Sequence, residues 1–221
     1  MSGSVSTFFR ELKLAWSGGG GPALPVGFFA AASAIAPYAV GADSRTLELV
    51  GPGIVWITLA LSSLLPMERL YQADLEDGTL DAYAGSGVSM EGMAAAKTLA
   101  HWAATALPLS LAAPVIWITL QGPAELFWLV AVVSAIGGLG FFFIGSIGAA
   151  LAAGVRRGGL LIALVALPLY IPLMIFGSST LGLATQGLPW GPPLMLTAAS
   201  ALFGAAISPF ASAAALRAAI D

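Results

Sequence analysis

The sequence predicts an all-α integral membrane protein with six transmembrane helices and both termini on the cytoplasmic side. Three observations carry that reading. Of the 221 residues, 58% are hydrophobic and only 9% are charged, against roughly 25% charged in a soluble domain, and the mean hydropathy is +0.93. The few charges are grouped, leaving neutral blocks between Lys13 and Asp43, Glu48 and Glu68, Lys97 and Glu125, and Glu125 and Arg156. Each block is long enough to cross a hydrocarbon core about 30 Å thick at about 1.5 Å per residue. Finally, these blocks lack the period-two alternation of a membrane barrel, so their backbone amides must be satisfied within helices.

The same composition excludes other classes. A net charge of -3 offers no basic face to a nucleic acid. Zero cysteines remove disulfides, thiolate nucleophiles and iron–sulfur ligation together. The only lysines are Lys13 and Lys97, and neither stands in a phosphate-binding G-x-x-x-x-G-K-[ST] string, so the chain has no P-loop of its own.

Along the chain, segment 6–17 comes first. Phe8, Phe9, Leu12 and Trp16 recur at helical spacing, with Arg10, Glu11 and Lys13 elsewhere on the wheel. This suits an amphipathic helix lying in the cytoplasmic interface and ended by glycines 18–21; the alternative is a frayed tail. A cleavable signal peptide is not expected, because the glycines separate the basic residues from an apolar run longer than the roughly 7–15 residues of such signals.

The expected spans are 23–40, 49–65, 98–120, 126–153, 160–176 and 194–216. The last two come from one neutral block, 158–216, which would be roughly 88 Å long as a single helix. The reversal is expected in Gly177-Ser178-Ser179-Thr180 through Gly187-Leu188-Pro189-Trp190-Gly191-Pro192-Pro193. With the N-terminus inside, Arg10, Lys13, Arg69, Lys97, Arg156, Arg157 and Arg217 fall on the cytoplasmic side and only Arg45 outside, as retention of basic residues requires. Trp56, Trp117, Trp128 and Trp190 are expected near span ends or in outer loops. Small residues at Gly145, Ala149 and Ala153, and at Ala201, Ala205 and Ser208, permit close helix approach, within one subunit or in a homodimer.

Polarity concentrates in 66–97. Six of the eleven acids, Glu68, Asp74, Glu76, Asp77, Asp81 and Glu91, face only Arg69 and Lys97 there. Met67, Leu70, Tyr71 and Leu75 form an apolar stripe at helical spacing, and Asp77-Gly78-Thr79 supplies a helix stop and a new N-cap. Anionic headgroups repel such a loop, which leaves docking on a protein or a solvated hairpin. The lone histidine, His101, has no second ligand for metal or haem and reads as a hydrogen-bonded interface residue.

The strings themselves resemble a known family. Gly51-Pro52-Gly53-Ile54-Val55-Trp56, Glu68-Arg69-Leu70, Asp74-Leu75-Glu76-Asp77-Gly78-Thr79-Leu80, Ala100-His101-Trp102, Arg157-Gly158-Gly159 and Ser208-Pro209-Phe210-Ala211 occur in the order found in the haem exporter protein B (CcmB) family. The likeness covers nearly the whole chain and departs at 84–91, where Gly85-Ser86-Gly87-Val88-Ser89 replaces a leucine- and proline-rich stretch. The resemblance implies an exporter-type ABC permease of the bacterial inner membrane, acting in cytochrome c maturation. It implies no catalytic residue, metal or directly bound cofactor: ATP belongs to a separate cytoplasmic ATPase subunit, and haem is the pathway's substrate. A haem-handling membrane protein, a small membrane subunit and a haem chaperone are the further partners implied, with no nucleic acid. In related permeases the segment after the second span is a coupling helix seated in the ATPase. Glu68, Arg69, Asp77, Gly78, Thr79 and Leu80 match it, and with Leu70 and Asp74 they form the expected ATPase-partner interface. The rivals are a permease for a lipid or drug, and a membrane enzyme acting through His101 and Glu125.

Overall fold

The computed structural model describes residues 3–17, 21–41, 43–85, 89–155 and 158–220. The glycines at 18–20, the departure at 86–88 and the basic pair Arg156 and Arg157 lie outside the described residues. Among the described residues all elements of regular structure are helical, without a strand. In order they are α1 (Gly3–Ser17), α2 (Ala23–Val40), α3 (Ser44–Leu64), α4 (Arg69–Glu76), α5 (Thr79–Gly85), α6 (Met90–His101), a π-helical turn (Trp102–Ala106), α7 (Leu107–Thr119), a 3-10 turn (Ala124–Leu126), α8 (Phe127–Ala152), α9 (Gly158–Thr185) and α10 (Gly191–Ile220). Among the described residues six helical segments are long and apolar enough to cross a bilayer: α2, α3 with α4, α6 with α7, α8, α9 and α10.

Helix α8 is the axis of the bundle, with α10, α9, α7 and α3 packed around it. Glycine explains why so many neighbours fit. A Cβ at Gly137 would lie 2.2 Å from the Trp56 ring, and one at Gly177 of α9 only 1.9 Å from it. The indole of α3 is thus wedged between two helices that expose bare backbone to it. Phe141 meets the same ring edge-on at 5.7 Å, and the Tyr170 hydroxyl donates to the Phe141 carbonyl oxygen at 2.8 Å. On the other side, a Cβ at Gly140 would stand 3.0 Å from Cα of Ala201, and Gly204 admits Ile144 equally closely. Ser146 and Ser212 join α8 to α10 at 3.3 Å. Ala201 and Ser208 lie on this buried face of α10, so these two small residues serve packing inside the subunit.

Several hydroxyls inside the bundle are paired locally, as a medium without water favours, whereas those of Ser134 and Ser208 are buried without a protein partner. Thr58 donates to the Ile54 carbonyl, Ser62 to Thr58 and Ser63 to Ala60, and Ser33 of α2 meets Thr58 at 3.0 Å. The outer faces carry Leu160, Leu164, Leu202, Phe203 and Phe210, all largely exposed, as lipid-facing residues should be.

Two expectations are corrected here. Gly177-Ser178-Ser179-Thr180 is not part of the reversal, because α9 runs on to Thr185. Ser178 and Thr180 fold their hydroxyls back onto the carbonyls of Ile175 and Phe176, and Gly177 is spent on admitting Trp56. The reversal is confined to 186–190, where Gly187 has φ 68°. Second, Trp56 is not an interfacial residue but fully buried. Trp117 is also buried, yet its Nε1–H reaches the Pro123 carbonyl in the following loop at 3.1 Å, and Trp128 is exposed as expected. Helix α1 presents two faces. Thr7 and Glu11 turn inward, and Phe9, Leu14 and Trp16 face out.

Candidate functional site at the polar end

The segment between the second and third spans folds as a helical hairpin against the bundle. Helix α4 stops because Asp77 takes a non-helical conformation as its C-cap and Gly78 adopts φ 75°, a region that costs a residue without Cβ little. The Asp77 carboxylate then accepts the Thr79 N–H at 2.9 Å and opens α5, and the Thr79 hydroxyl together with that N–H holds the carboxyl below its ordinary range. Expected stop and restart are therefore found at the expected residues.

The hairpin has two sides. Beneath it, Met67, Leu70, Tyr71 and Leu80 join an apolar cluster with Phe142, Ala149 and Ala150 of α8 and Leu216 of α10. Leu70 and Leu80 are no more than 1% exposed. On the outside, Glu68, Arg69, Ala73, Glu76 and Asp77 are exposed, with Gly78 and Thr79 half-buried. Gln72 donates to Glu76 at 3.0 Å along this ridge. Of the eight residues singled out by sequence, Glu68, Arg69, Asp77, Gly78 and Thr79 thus lie on the accessible side. Leu70, Asp74 and Leu80 form the underside.

Asp74 leads to a group that the sequence did not bring together. Its carboxylate is ion-paired with Lys97 of α6, whose Nζ also donates to Oε2 of Glu11 in α1 at 2.9 Å. The Lys97 side chain is 3% exposed and that of Glu11 5%. Arg10 closes on the other Glu11 oxygen at 2.8 Å, and its guanidinium lies over the Tyr83 ring of α5 at 5.5 Å. Thr7 meets the Tyr83 hydroxyl at 3.1 Å. His101 Nε2 stands 3.9 Å from Glu11, too long for a good hydrogen bond but facing the same carboxylate. Burial alone would raise the Glu11 carboxyl; His101, Lys97 and Arg10 around it outweigh that and hold it down to about 2.

Such a cluster forms because a buried charge must be paired or it costs several kcal/mol. One lysine serves carboxylates from two other helices. The sequence signal was present: Lys97 is the single cation in an apolar helix, a position that calls for a partner. Which carboxylate answers it depends on how α1 and α4 dock. Among the described residues no three His, Asp or Glu side chains converge on a metal position. Glu125 is exposed beside α8, separated from His101 by the whole of α7, so the two do not form a joint site.

A family model described as CcmB protein matches residues 3–219. The chain belongs to the CcmB family. Curated relatives agree over almost the full length. Heme exporter protein B of Paracoccus denitrificans is 42% identical over 209 residues, 94% of this chain and 95% of the relative. The Haemophilus influenzae protein of the same name is 36% identical over 212 residues, 96% of each chain. That of Escherichia coli K12 is 35% identical over 214 residues, 97% of each. CcmB membership and the six apolar helices together make the chain a multi-pass membrane protein of a transporter family.

Proposed function

We propose that the chain is the permease subunit of an ABC-type haem exporter complex in the bacterial inner membrane, acting in cytochrome c maturation. Both termini are cytoplasmic in this reading, α1 lies in the inner interface, and the α4–α5 hairpin is the coupling element. A cytoplasmic ATPase binds and hydrolyses ATP; this chain binds no cofactor. A haem-handling membrane protein and a small membrane subunit complete the complex, and hydrolysis drives release of the haem-loaded chaperone outside.

One observation supports the coupling assignment most directly. The exposed ridge Glu68, Arg69, Glu76 and Asp77, with the half-buried Thr79 at its end, is carried on a short helical hairpin braced from below by Leu70 and Leu80 and from the side by Asp74. A braced polar ridge joined to two spans can receive a rigid-body push from a partner and hand it on. The contact with the ATPase is therefore made by the ridge, while Leu70, Asp74 and Leu80 set its shape and Gly78 its turn. A lipid or drug permease would use the same ridge, and the relatives' names favour haem.

Glu76→Lys and Asp77→Lys should leave the permease inserted but reduce the ATPase recovered with it from native membranes by about tenfold, the effect of losing a docking contact worth 1.4 kcal/mol. Asp43→Lys at the opposite end should change nothing. Unchanged ATPase recovery in both ridge variants would refute the assignment. Orientation is checked independently: cysteines placed singly at Ser44 and Gln186 should label from outside, and those at Ser89 and Gly158 should not.

A further inference from the structure

We infer that Lys97 is a positioning residue that locks α1, the α4–α5 hairpin and α6 into one block, and that the π-helical turn at Trp102–Ala106 is where this block pivots against the rest of the bundle. The inference rests on the hairpin being the coupling element and adds how its motion reaches the third span. The lock is the three-helix ion cluster: Lys97 of α6 holds Glu11 of α1 at 2.9 Å and also pairs with Asp74 of α4. Displacing any one helix from the other two would strand a buried charge, whereas moving all three together keeps those buried pairs and strains only an exposed ion pair, Glu91 of α6 with Arg217 of α10, among the ion pairs described. Tyr83, under Arg10 and beside Thr7, ties α5 to the same unit.

The pivot is written in the backbone. Pro108 has no N–H, and its ring crowds the carbonyl of Ala104 one turn earlier. The preceding turn widens, and the Leu107 N–H bonds the Trp102 carbonyl five residues back. The regular ladder of the third span is therefore already interrupted at the boundary between α6 and α7, the place where bending costs least. Trp102 Nε1–H donates to the Ala135 carbonyl of α8 at 3.2 Å, fixing the pivot to the bundle axis. Beneath the block, Met67 and Met93 belong to the apolar cluster that α8 completes, and flexible thioether side chains let one surface slide on another without opening voids.

The test uses the complete complex and exploits the absence of native cysteine. Spin labels on cysteines at Ala73 of α4 and Leu99 of α6 report the block, and labels at Ala73 and Leu202 of α10 report its motion. Between nucleotide-free and ATP-trapped states the first distance should stay fixed and the second should change. The neutral triple variant Glu11→Gln, Asp74→Asn, Lys97→Met leaves no stranded charge and should still insert and recover its ATPase. It should broaden the Ala73–Leu99 distribution about twofold and lower ATP-driven chaperone release about tenfold. Lys97→Arg should retain both. A narrow Ala73–Leu99 distribution in the triple variant, or a nucleotide-dependent change in that distance in the unmodified chain, would overturn the inference. Failure of the underlying coupling assignment would show differently, as ridge variants that keep their ATPase while the block remains intact.

Discussion

The two ends of this molecule are held together by opposite means. In the apolar bundle, α3, α8, α9 and α10 interlock by shape: Trp56 fills the space that Gly137 and Gly177 leave, and Gly140 and Gly204 let α10 close on α8. The Trp56 Nε1–H finds no protein acceptor there, so the ring is held by packing alone. At the polar end, α1, α4 and α6 are held by charge, through Glu11, Asp74 and Lys97. The contrast follows from the solvent. Lipid tails are as apolar as leucine, so burial gives spans no reason to associate and only close contact does. Near the interface, charged residues are available, and once buried they are specific about their partners. The bundle is thus a rigid reference, and the polar end is an assembly whose parts are chosen by charge.

Lys97→Met alone strands Glu11 and Asp74, and should cost about 3–5 kcal/mol, read as lost thermal stability in detergent. The neutral triple variant should recover most of that loss. If the single and triple variants are equally unstable, charge pairing is not what holds this end.

In the bundle the matching change is Gly177→Ala, which drives a methyl into the Trp56 ring and should cost about 1–3 kcal/mol through overpacking. Trp56→Leu in the same chain should relieve part of it, a non-additivity expected only of touching residues. Simple addition of the two losses would show that the ring does not occupy the gap.

Acid sharpens the contrast. The Glu11 carboxyl is held at about 2, below its ordinary 4.5. Its stabilisation is fully present above 4.5 and is lost as pH falls from there through about 2. A spin label at Phe9 on α1 should therefore become mobile over that window, while one at Leu202 on α10 should not. Equal mobility at both sites would mean that the whole chain unfolds and α1 is not separately latched.

The smallest effect is expected at a cap. Ser89 accepts the Gly92 N–H at 3.0 Å and starts α6. Ser89→Ala should cost about 1 kcal/mol, seen as faster amide exchange in the first turn of α6 and no change in α8.

How far the sequence could be read differs between these same regions. Span number, the polar hairpin and its turn at Asp77-Gly78-Thr79 were legible because composition and turn chemistry act over a few neighbouring residues. Gly177 reads as a turn residue in the sequence because glycine has two uses, positive φ and close approach, and sequence does not say which is in force; in the structure it is close approach. Leu70 stands in an apolar stripe, which announces burial without naming what covers it, and Leu80 is assigned to the interface by the family resemblance; in the structure α8 and α10 cover both.

By itself, the sequence determined the medium, the helical class and the family, since hydropathy, backbone satisfaction in lipid and ordered motifs are properties of the chain alone. The tertiary structure decided which residues meet. Lys97 and Glu11 lie 86 positions apart, and Trp56 finds its gap in two helices far along the chain. Pairings of that kind depend on how helices dock, and docking is chosen by the fit of whole surfaces, which no local pattern of residues contains.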